Sequence, residues 1–401
     1  MHADKIKLKK ETIILLLLAG VNFLTIMDFM IMMPLAPQLK RIFEMNPTQW
    51  STIVSSYTFA AAFSGIVSIF LIDKFDRKKS LLFLMVGFTL ATFLIGLSNS
   101  YFALIVTRSI AGLFGGVLGA LLLAIVGDLV PNERRGQAVG MVMAGFSAAA
   151  ALGVPFGLYF GTKYSWHIPF FAISAMSVLL IIGIILVMPP IRSHLKTSKQ
   201  NGIFDGIKNL WGDKNQLRGL WFMVLILFGQ FSIIPFLSPY MVANVGFTES
   251  QLVYIYLVGG VLTIFSSSLI GKIADKVGKH KVFYWLLVLS LIPILAITHL
   301  LKVPIAIALF FTSLFFLFAG GRMIPASAIV IATAPPQFRG SYMSIRSAVI
   351  NFASGLAAFA SGLIVTENAN GTFSNYNFVG YLAASTSIAS IVVIRKIIAK
   401  Y

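Results

Sequence analysis

The sequence contains no cysteine, which excludes disulfide bonds, thiolate catalysis and cysteine-ligated metal sites. It is also poor in charge, since charged residues make up 11% of the chain, whereas soluble domains average about 25%. Acidic residues are the scarcer sign, at 13 against 31 Lys and Arg. Hydrophobic residues reach 58%, an excess that a larger soluble core does not explain. Lipid is therefore expected to surround most of this protein.

Histidine is scarce as well. The five histidines fall in tails, loops or the ends of apolar runs, so no metal constellation forms within a run: His2, His167, His194, His280 and His299. The phosphate-binding pattern Gly-x-x-x-x-Gly-Lys-[Ser/Thr] is missing too, which argues against ATP drive. We expect no catalytic residues, no metal and no cofactor, and we predict that the protein is not an enzyme.

The net charge of +18 raises the possibility of a nucleic-acid partner. However, the basic residues occur in short segments between apolar runs, without a basic amphipathic stripe or a base-stacking motif. We predict no nucleic-acid binding.

Apolar runs divide the chain into segments long enough to cross a bilayer, which takes about 20 helical residues. We predict twelve transmembrane helices: Thr12–Leu35, Trp50–Leu71, Ser80–Leu97, Phe102–Val126, Ala138–Phe160, Ile168–Met188, Leu220–Met241, Leu252–Ile270, Val282–Leu300, Val303–Thr333, Ser341–Val365 and Phe378–Ile394. The first follows the basic segment Met1–Glu11 and is too long for a signal-peptide core, so we expect it to remain uncleaved.

Basic residues alternate between the loops. With the N-terminus inside, the inner tails and loops carry 24 Lys and Arg, and the outer loops carry four: Lys40, Arg41, Lys163 and Lys302. This bias predicts that both termini lie in the cytoplasm. We therefore expect a multi-pass protein of the cytoplasmic (inner) membrane, whose partner is the lipid bilayer.

The chain repeats itself at about half its length. Three landmarks recur: Asp73 as Asp275 and Pro37 as Pro239, each 202 residues later, and Arg135-Gly136 as Arg339-Gly340, 204 residues later. We predict two homologous six-helix bundles, residues 1–190 and 219–401, joined by a cytoplasmic linker at 191–218.

The repeated loops carry a recognisable motif. The second copy reads Gly271-x-x-x-Asp275-x-x-Gly278-Lys279-x-Lys281, and the first keeps Asp73, Arg77 and Lys79 but has Ile69 and Asp76 in place of the glycines. This resembles the loop between helices 2 and 3 of the major facilitator superfamily. The resemblance spans the chain and implies two pseudo-symmetric bundles, a substrate site near the midplane and transport by alternating access.

Three further features resemble the twelve-helix drug:proton antiporters and related efflux proteins. They are the acidic Met27–Met30 segment of helix 1, Thr107–Gly112 of helix 4, and Gly153, Pro155 and Gly157 of helix 5. Val154 departs from that pattern, because the antiporters have glycine before the proline.

One carboxylate, Asp28, lies near the middle of a predicted span. A charge at this depth costs about 2.5–3.5 kcal/mol even on insertion scales. A carboxylate there could exchange a proton as the cavity switches sides. At helical periodicity one face of helix 1 collects the polar or adaptable residues Asn22, Thr25, Asp28 and Met32. We expect this face to border the cavity, with neutral Gln230 at the repeat-related position in helix 7.

Asp28 has three possible roles: proton coupling, a permanent ion pair with Arg108 that ties helices 1 and 4 together, or contact with a cationic substrate group. Arg108 is the helix 4 arginine that the resemblance implicates in proton or substrate handling, and its alternative is snorkelling to the outer surface.

Two more arginines lie within predicted spans, Arg322 in helix 10 and Arg346 in helix 11. We expect both nearer the cytoplasmic interface, in contact with substrate, with packing neighbours or with lipid. Together with Arg108 they outnumber Asp28, which favours an anionic or zwitterionic solute. Phe231 and Met32 belong to aromatic and Met-rich stretches that either adapt to an apolar ligand or simply pack.

The paired loops suggest a cytoplasmic gate. Asp73 and Asp275 would lie near the positive N-termini of helices 11 and 5, with Lys279 beside them in the motif, and Arg77 can reach Asp128. These contacts would close the cytoplasmic side; the alternative is a solvated basic turn.

The sequence thus predicts a monomeric secondary transporter for a small amphipathic or anionic organic compound, exported in exchange for protons. A proton symporter or uniporter for an organic anion or sugar is the alternative within this class. A transport-inactive membrane sensor is the alternative from another class.

Overall fold

The computed structural model describes residues 2–192, 203–335 and 338–398. Side chains are described within these ranges except at positions 2–9, 73, 132–133 and 203–207.

Within the described residues, twelve helices are long and apolar enough to cross a membrane. In chain order, α1 to α12 are Lys10–Ile31, Pro47–Leu71, Arg77–Gly96, Tyr101–Leu129, Arg134–Lys163, His167–Val187, Lys214–Val245, Glu249–Val277, Lys279–His299, Ile305–Ile331, Arg339–Ile364 and Tyr376–Ile394. The predicted number and order of spans are confirmed.

Most helices begin earlier than hydropathy alone indicates, and polar side chains cap several of these starts. The side chain of Asn46 accepts a hydrogen bond from the backbone of Gln49 at the start of α2. Ser100 caps α4 and Asp76 caps α3 in the same way. Such caps satisfy backbone N–H groups that have no partner within the helix.

Helix α1 ends at Ile31, four residues before its predicted end. A turn follows, and then the short helix Ala36–Ile42, which has Pro37 in its first turn. Helix α7 is interrupted at the same place, where Ile234–Tyr240 starts with Pro235 in its first turn. Proline lacks the N–H that a continuing helix needs, so both spans break here.

Further irregular elements are short. The π-helical turns Ala149–Gly153, Met241–Val245 and Phe316–Gly320 lie within α5, α7 and α10. The 3-10 turns are Ile72–Lys74 and Glu249–Gln251. The strands Thr366–Glu367 and Phe373–Ser374 form a two-stranded antiparallel ribbon between α11 and α12.

The spans form two six-helix bundles, α1–α6 and α7–α12, which confirms the predicted all-α fold. In the first bundle α2 and α3 pack on α4, and α1 packs on α5 and α6. The bundles meet where α2 packs along α11 and α5 packs on α8.

Small residues bring α2 and α11 close together. A Cβ added at Gly355 would lie 2.6 Å from the Thr58 hydroxyl, and one at Gly362 would overlap the Ser51 hydroxyl. The helices therefore approach through their backbones, as is common between membrane helices.

We call the side with the α2–α3, α4–α5 and α8–α9 loops the basic face and the other side the opposite face. Residues after α6 return along the basic face, where Arg192 forms an ion pair of 2.9 Å with Asp76. A helix, Ile203–Gly212, precedes α7. Residues 193–202 of the predicted linker lie outside the described part of the chain.

Candidate functional site

A buried ion pair lies inside the first bundle. Arg108 of α4 donates through Nη1 to Asp28 Oδ2 at 3.0 Å, and the Asp28 backbone carbonyl lies 3.3 Å from the same nitrogen. The Thr92 hydroxyl of α3 donates to Asp28 Oδ1 at 3.1 Å. Asp28 is 0% exposed and Arg108 is 1% exposed. The pair therefore joins α1, α3 and α4 without contact with solvent.

Aromatic rings cover this pair on the side of the second bundle. The Arg108 guanidinium lies 4.5 Å from the centre of the Tyr57 ring. Phe29 packs on Tyr57 at 5.2 Å and reaches Phe231 of α7 at 6.1 Å. Tyr57 can lie this close because a side chain at position 112 of α4 would overlap the Tyr57 carbonyl oxygen, and residue 112 is glycine. Two rings thus separate the charges from the second bundle.

The predicted cavity-facing surface of α1 requires correction. Asp28 points to α3 and α4, Asn22 donates to the Val142 carbonyl of α5, and the Thr25 hydroxyl donates to the Val21 carbonyl. Met32 lies beyond the helix end, in the turn, and is 1% exposed. Helical periodicity correctly groups such residues but does not say which neighbour they face.

The pairing of Asp28 with Gln230 stays a prediction. The short helices after α1 and α7 start at Ala36 and Ile234, 198 residues apart, so Pro37 and Pro235 occupy the same place in their bundles. The offset of 202 holds from the next span onward, because α2 and α8 start at Pro47 and Glu249. Gln230 is half-buried, and its Oε1 has no hydrogen-bond partner among the described residues.

Arg322 lies in the interior of the second bundle, in contact with packing neighbours, which was one of the three settings we expected. It is 0% exposed and is residue 18 of 27 in α10, so it lies nearer the end of the helix at the basic face. Its Nη1 donates to Ser387 Oγ at 2.9 Å and Ser290 Oγ at 3.1 Å, and its Nη2 lies 3.5 Å from the Ile226 carbonyl. Each arginine thus approaches a backbone carbonyl of the first helix in its bundle, but no acid contacts Arg322 among the described residues.

Arg346 lies on a different surface of the second bundle. Its Nη2 donates to Ser327 Oγ of α10 at 2.7 Å, while its Nε has no partner among the described residues. The residue is half-buried. Phe231, the other cavity residue predicted here, is also half-buried and contacts Phe29 across the bundle interface.

The predicted gate residues remain within their own bundles. Arg77 Nε and Asp128 Oδ2 form the expected pair at 3.0 Å, but both belong to the first bundle. The Asp73 side chain lies outside the described residues. Asp275 and Lys279 are exposed, and neither forms an ion pair with another described side chain. In this conformation, therefore, the described gate residues do not join the two bundles at the basic face.

Asp76 was not among the predicted site residues. Burial alone would raise the pKa of its carboxyl group, but the Arg192 guanidinium and nearby backbone N–H groups lower that pKa below its ordinary value. Asp76 replaces a glycine of the loop motif, and this departure from the motif could have identified Asp76 as a candidate from the sequence.

The pair Arg77–Asp128 can be tested by exchanging its charges. We expect Arg77→Asp and Asp128→Arg each to lower the melting temperature and the transport rate, because each brings like charges together where a charge-assisted bond is worth about 1.5–3 kcal/mol. Combining them should recover part of both losses; recovery is partial because Arg77 also donates to the Ile72 carbonyl. A double variant no better than the single ones would contradict the pairing.

Among the described residues, two ion pairs connect the bundles at the opposite face, and neither was predicted. Lys40 of the short helix Ala36–Ile42 contacts Glu367 at 2.7 Å, and Arg41 contacts Glu249 at 2.6 Å. Burial lowers the pKa of Lys40, although the bond and charge of Glu367 partly oppose this. The Trp50 indole also donates to the Pro235 carbonyl at 2.9 Å. The structure is therefore closed at the opposite face.

Comparison with known proteins agrees with this architecture. The family model of the Major Facilitator Superfamily matches residues 18–321 and 220–399. The uncharacterized MFS-type transporter YceJ of Bacillus subtilis is 25% identical, over 92% of this chain and 91% of that protein. A "Probable sugar efflux transporter" of Helicobacter pylori is 24% identical over 65% of each chain.

Among solved structures, a D-xylose-proton symporter superposes with a TM-score of 0.77, covering 97% of this chain and 98% of that one at 16% identity. At this identity the likeness shows the fold alone.

Proposed function

The chain belongs to the major facilitator superfamily, and we propose that it is a secondary transporter that exchanges a small organic solute for protons by alternating access. The observation that carries this proposal is the Asp28–Arg108 pair. Burying a carboxylate in the membrane interior costs free energy, so acidic residues are rare there and usually have a function. Here one guanidinium and one hydroxyl hold it, and loss of either contact would change its affinity for a proton.

Coupling requires that the ion pair responds to the movement of the bundles. Tyr57 and Phe29 contribute the link, because Phe29 contacts both Tyr57 and Phe231 of the second bundle. When the bundles separate at the opposite face, Phe29 loses the support of Phe231. Tyr57 can then move from the guanidinium and admit water to Asp28, which takes up a proton and releases Arg108.

The basic loops support an orientation with the basic face in the cytoplasm, in the inner membrane of a bacterial cell. On this orientation the conformation is open toward the cytoplasm, because the ion pairs between the bundles lie at the opposite, outer face. In the outward-open state Asp73, Asp275 and Lys279 would join the bundles at the cytoplasmic face, while Arg77–Asp128 stiffens the first bundle. The domain limits 1–190, 191–218 and 219–401 and a monomeric state belong to the same proposal.

The direction of solute movement is the open choice within this proposal. The helix 4 arginine and the acid of α1 favour the drug:proton antiporter branch, and one relative is named as a sugar efflux transporter. A proton symporter remains the second candidate, because a D-xylose-proton symporter shares the fold.

Reconstitution into liposomes that enclose a pH-sensitive dye tests the proposal. The intact protein is exposed to a panel of sugars, organic acids and organic amines under an imposed pH gradient. Antiport predicts that a transported solute and protons move in opposite directions, and symport that they move together. Solute movement that is the same with and without the gradient would overturn proton coupling.

A further inference from the structure

The buried arginines of the two bundles differ in their hydrogen-bond partners. In the first, Arg108 has an acid; in the second, Arg322 donates only to hydroxyl and carbonyl oxygens among its described partners. Within residues 219–401 the acidic residues are Glu249, Asp275 and Glu367, and all lie near the ends of spans. The membrane interior of the second bundle therefore carries positive charge that none of its own acids balances.

Arg346 brings a second positive charge to the surface of this bundle. On α10, Ser327 follows Arg322 by five residues, about 140° around the helix axis. Arg322 points toward α7, α9 and α12, so Ser327 lies on the side that faces away from the bundle interior. Gly320 lies on the same strip as Ser327, one heptad away, and a Cβ there would meet no atom within 4 Å. This strip of α10 therefore borders open space.

Arg346 reaches that strip from α11. The guanidinium extends from α11 to α10, where its Nη2 donates to Ser327 Oγ. It therefore lies beside the strip of α10 that borders open space. Its half-buried position and its unpartnered Nε leave donors available to a ligand.

We propose that the transported solute carries an anionic group, a carboxylate or a phosphate, and that Arg346 with Ser327 binds it. The inference rests on the proposed function and assigns the substrate class of the same cavity. A guanidinium offers parallel N–H donors that match the two oxygens of such a group. Arg322, buried inside the second bundle, adds attraction without contact because its charge has no acidic partner among the described residues of that bundle.

The experiment measures binding without a gradient. The purified protein is heated with matched panels of monocarboxylates, alkyl phosphates, primary amines and alcohols of equal carbon number, and its melting temperature is recorded. We expect at least one anion to stabilise the protein in a saturable way, and the matched amine and alcohol to have no such effect. Arg346→Gln should weaken apparent affinity about tenfold or more, and Ser327→Ala about threefold.

Two matched controls separate contact from net charge. Arg395→Gln also removes one positive charge, but at an exposed position after α12, and should leave anion affinity unchanged. Ile226→Asp places an acid against Arg322, as Asp28 stands against Arg108, and should weaken anion affinity a few-fold relative to Ile226→Asn.

The proposal is overturned if no anion stabilises the wild-type protein, if Arg346→Gln binds as tightly as wild type, or if the amines bind better. A failure of proton-driven transport in liposomes would leave these binding results intact. The two experiments therefore test the two proposals separately: anion binding can fail while proton coupling is confirmed, and proton coupling can fail while anion binding is confirmed.

Discussion

Asp28→Asn is expected to abolish pH-gradient-driven transport while the protein remains folded. Asparagine keeps the shape of the side chain, and its single carbonyl oxygen can accept from Arg108 while its NH2 group donates to the Thr92 hydroxyl oxygen, but it cannot bind and release a proton. The substitution also leaves Arg108 buried without a counter-charge. Removing one partner of a buried pair typically costs about 3–5 kcal/mol, so the melting temperature should fall as well.

A double variant separates coupling from stability. Asp28→Asn with Arg108→Gln removes both charges, and we expect it to recover much of the lost melting temperature. If the pair only ties α1 to α4, this stabilised double variant should transport solute with full dependence on the gradient. If Asp28 carries the proton, the double variant should remain uncoupled. Gradient-driven activity at the wild-type rate in either variant would refute the coupling role.

Glu367→Lys is expected to open the opposite face. Lys40 is buried there with its amine 4.2 Å from the centre of the Phe373 ring. Burial lowers the pKa of Lys40, so closing this face costs free energy. That cost is present in full below the lowered pKa and disappears as the pH rises above the pKa of an exposed lysine. Glu367 offsets the cost at neutral pH, and a second lysine would add to it.

The size of this effect follows from the exposure of the pair. The Glu367 side chain is 35% exposed, so we allow for solvent screening and expect a shift of about 2 kcal/mol, or about thirtyfold in the equilibrium between closed and open states. Glu367→Gln, which removes the attraction without adding repulsion, should give a smaller shift in the same direction.

The natural absence of cysteine makes the measurement direct. Ser51→Cys introduces a single thiol on α2, at a position that is 0% exposed and packed against Gly362. A membrane-impermeant maleimide added from the opposite face should label this thiol faster in Glu367→Lys than in the parent. Lys40→Glu combined with Glu367→Lys restores opposite charges and should slow the labelling again. Equal labelling rates in all three proteins would show that the ion pair does not control this face.

The spans were predictable because a bilayer imposes its thickness on every helix, and the basic loops made the alternation of sides clear. The partner of Asp28 was also within reach of the sequence, since a mid-span acid needs a nearby cation and α4 supplies Arg108. Periodicity could not show which neighbouring helices the side chains on this surface of α1 would face. Asn22 and Asp28 share a surface of α1, yet α3, α4 and α5 cover them, and only the packing of six helices decides that.

The register of the repeat along α7 was hard to predict for a different reason. The π-helical turn Met241–Val245 follows the short helix Ile234–Tyr240, and the repeat gains four residues between that helix and the next span. An insertion of this size leaves no mark in hydropathy, so the sequence does not show where along α7 the offset of 202 stops holding. The sequence did contain an indication of the ion pairs at the opposite face. Lys40 and Arg41 are two of only four basic residues in loops that otherwise avoid positive charge.

The exclusion of solvent from the Asp28–Arg108 pair also has a consequence for the proton gradient across the membrane. A titratable group that touched water from both sides would let hydrogen ions leak inward whenever no cargo was present. Because Tyr57 covers the guanidinium and the carboxylate is buried, we expect the protein to conduct no protons when no solute is bound. A membrane crowded with copies of this chain should therefore keep its electrochemical gradient until cargo arrives.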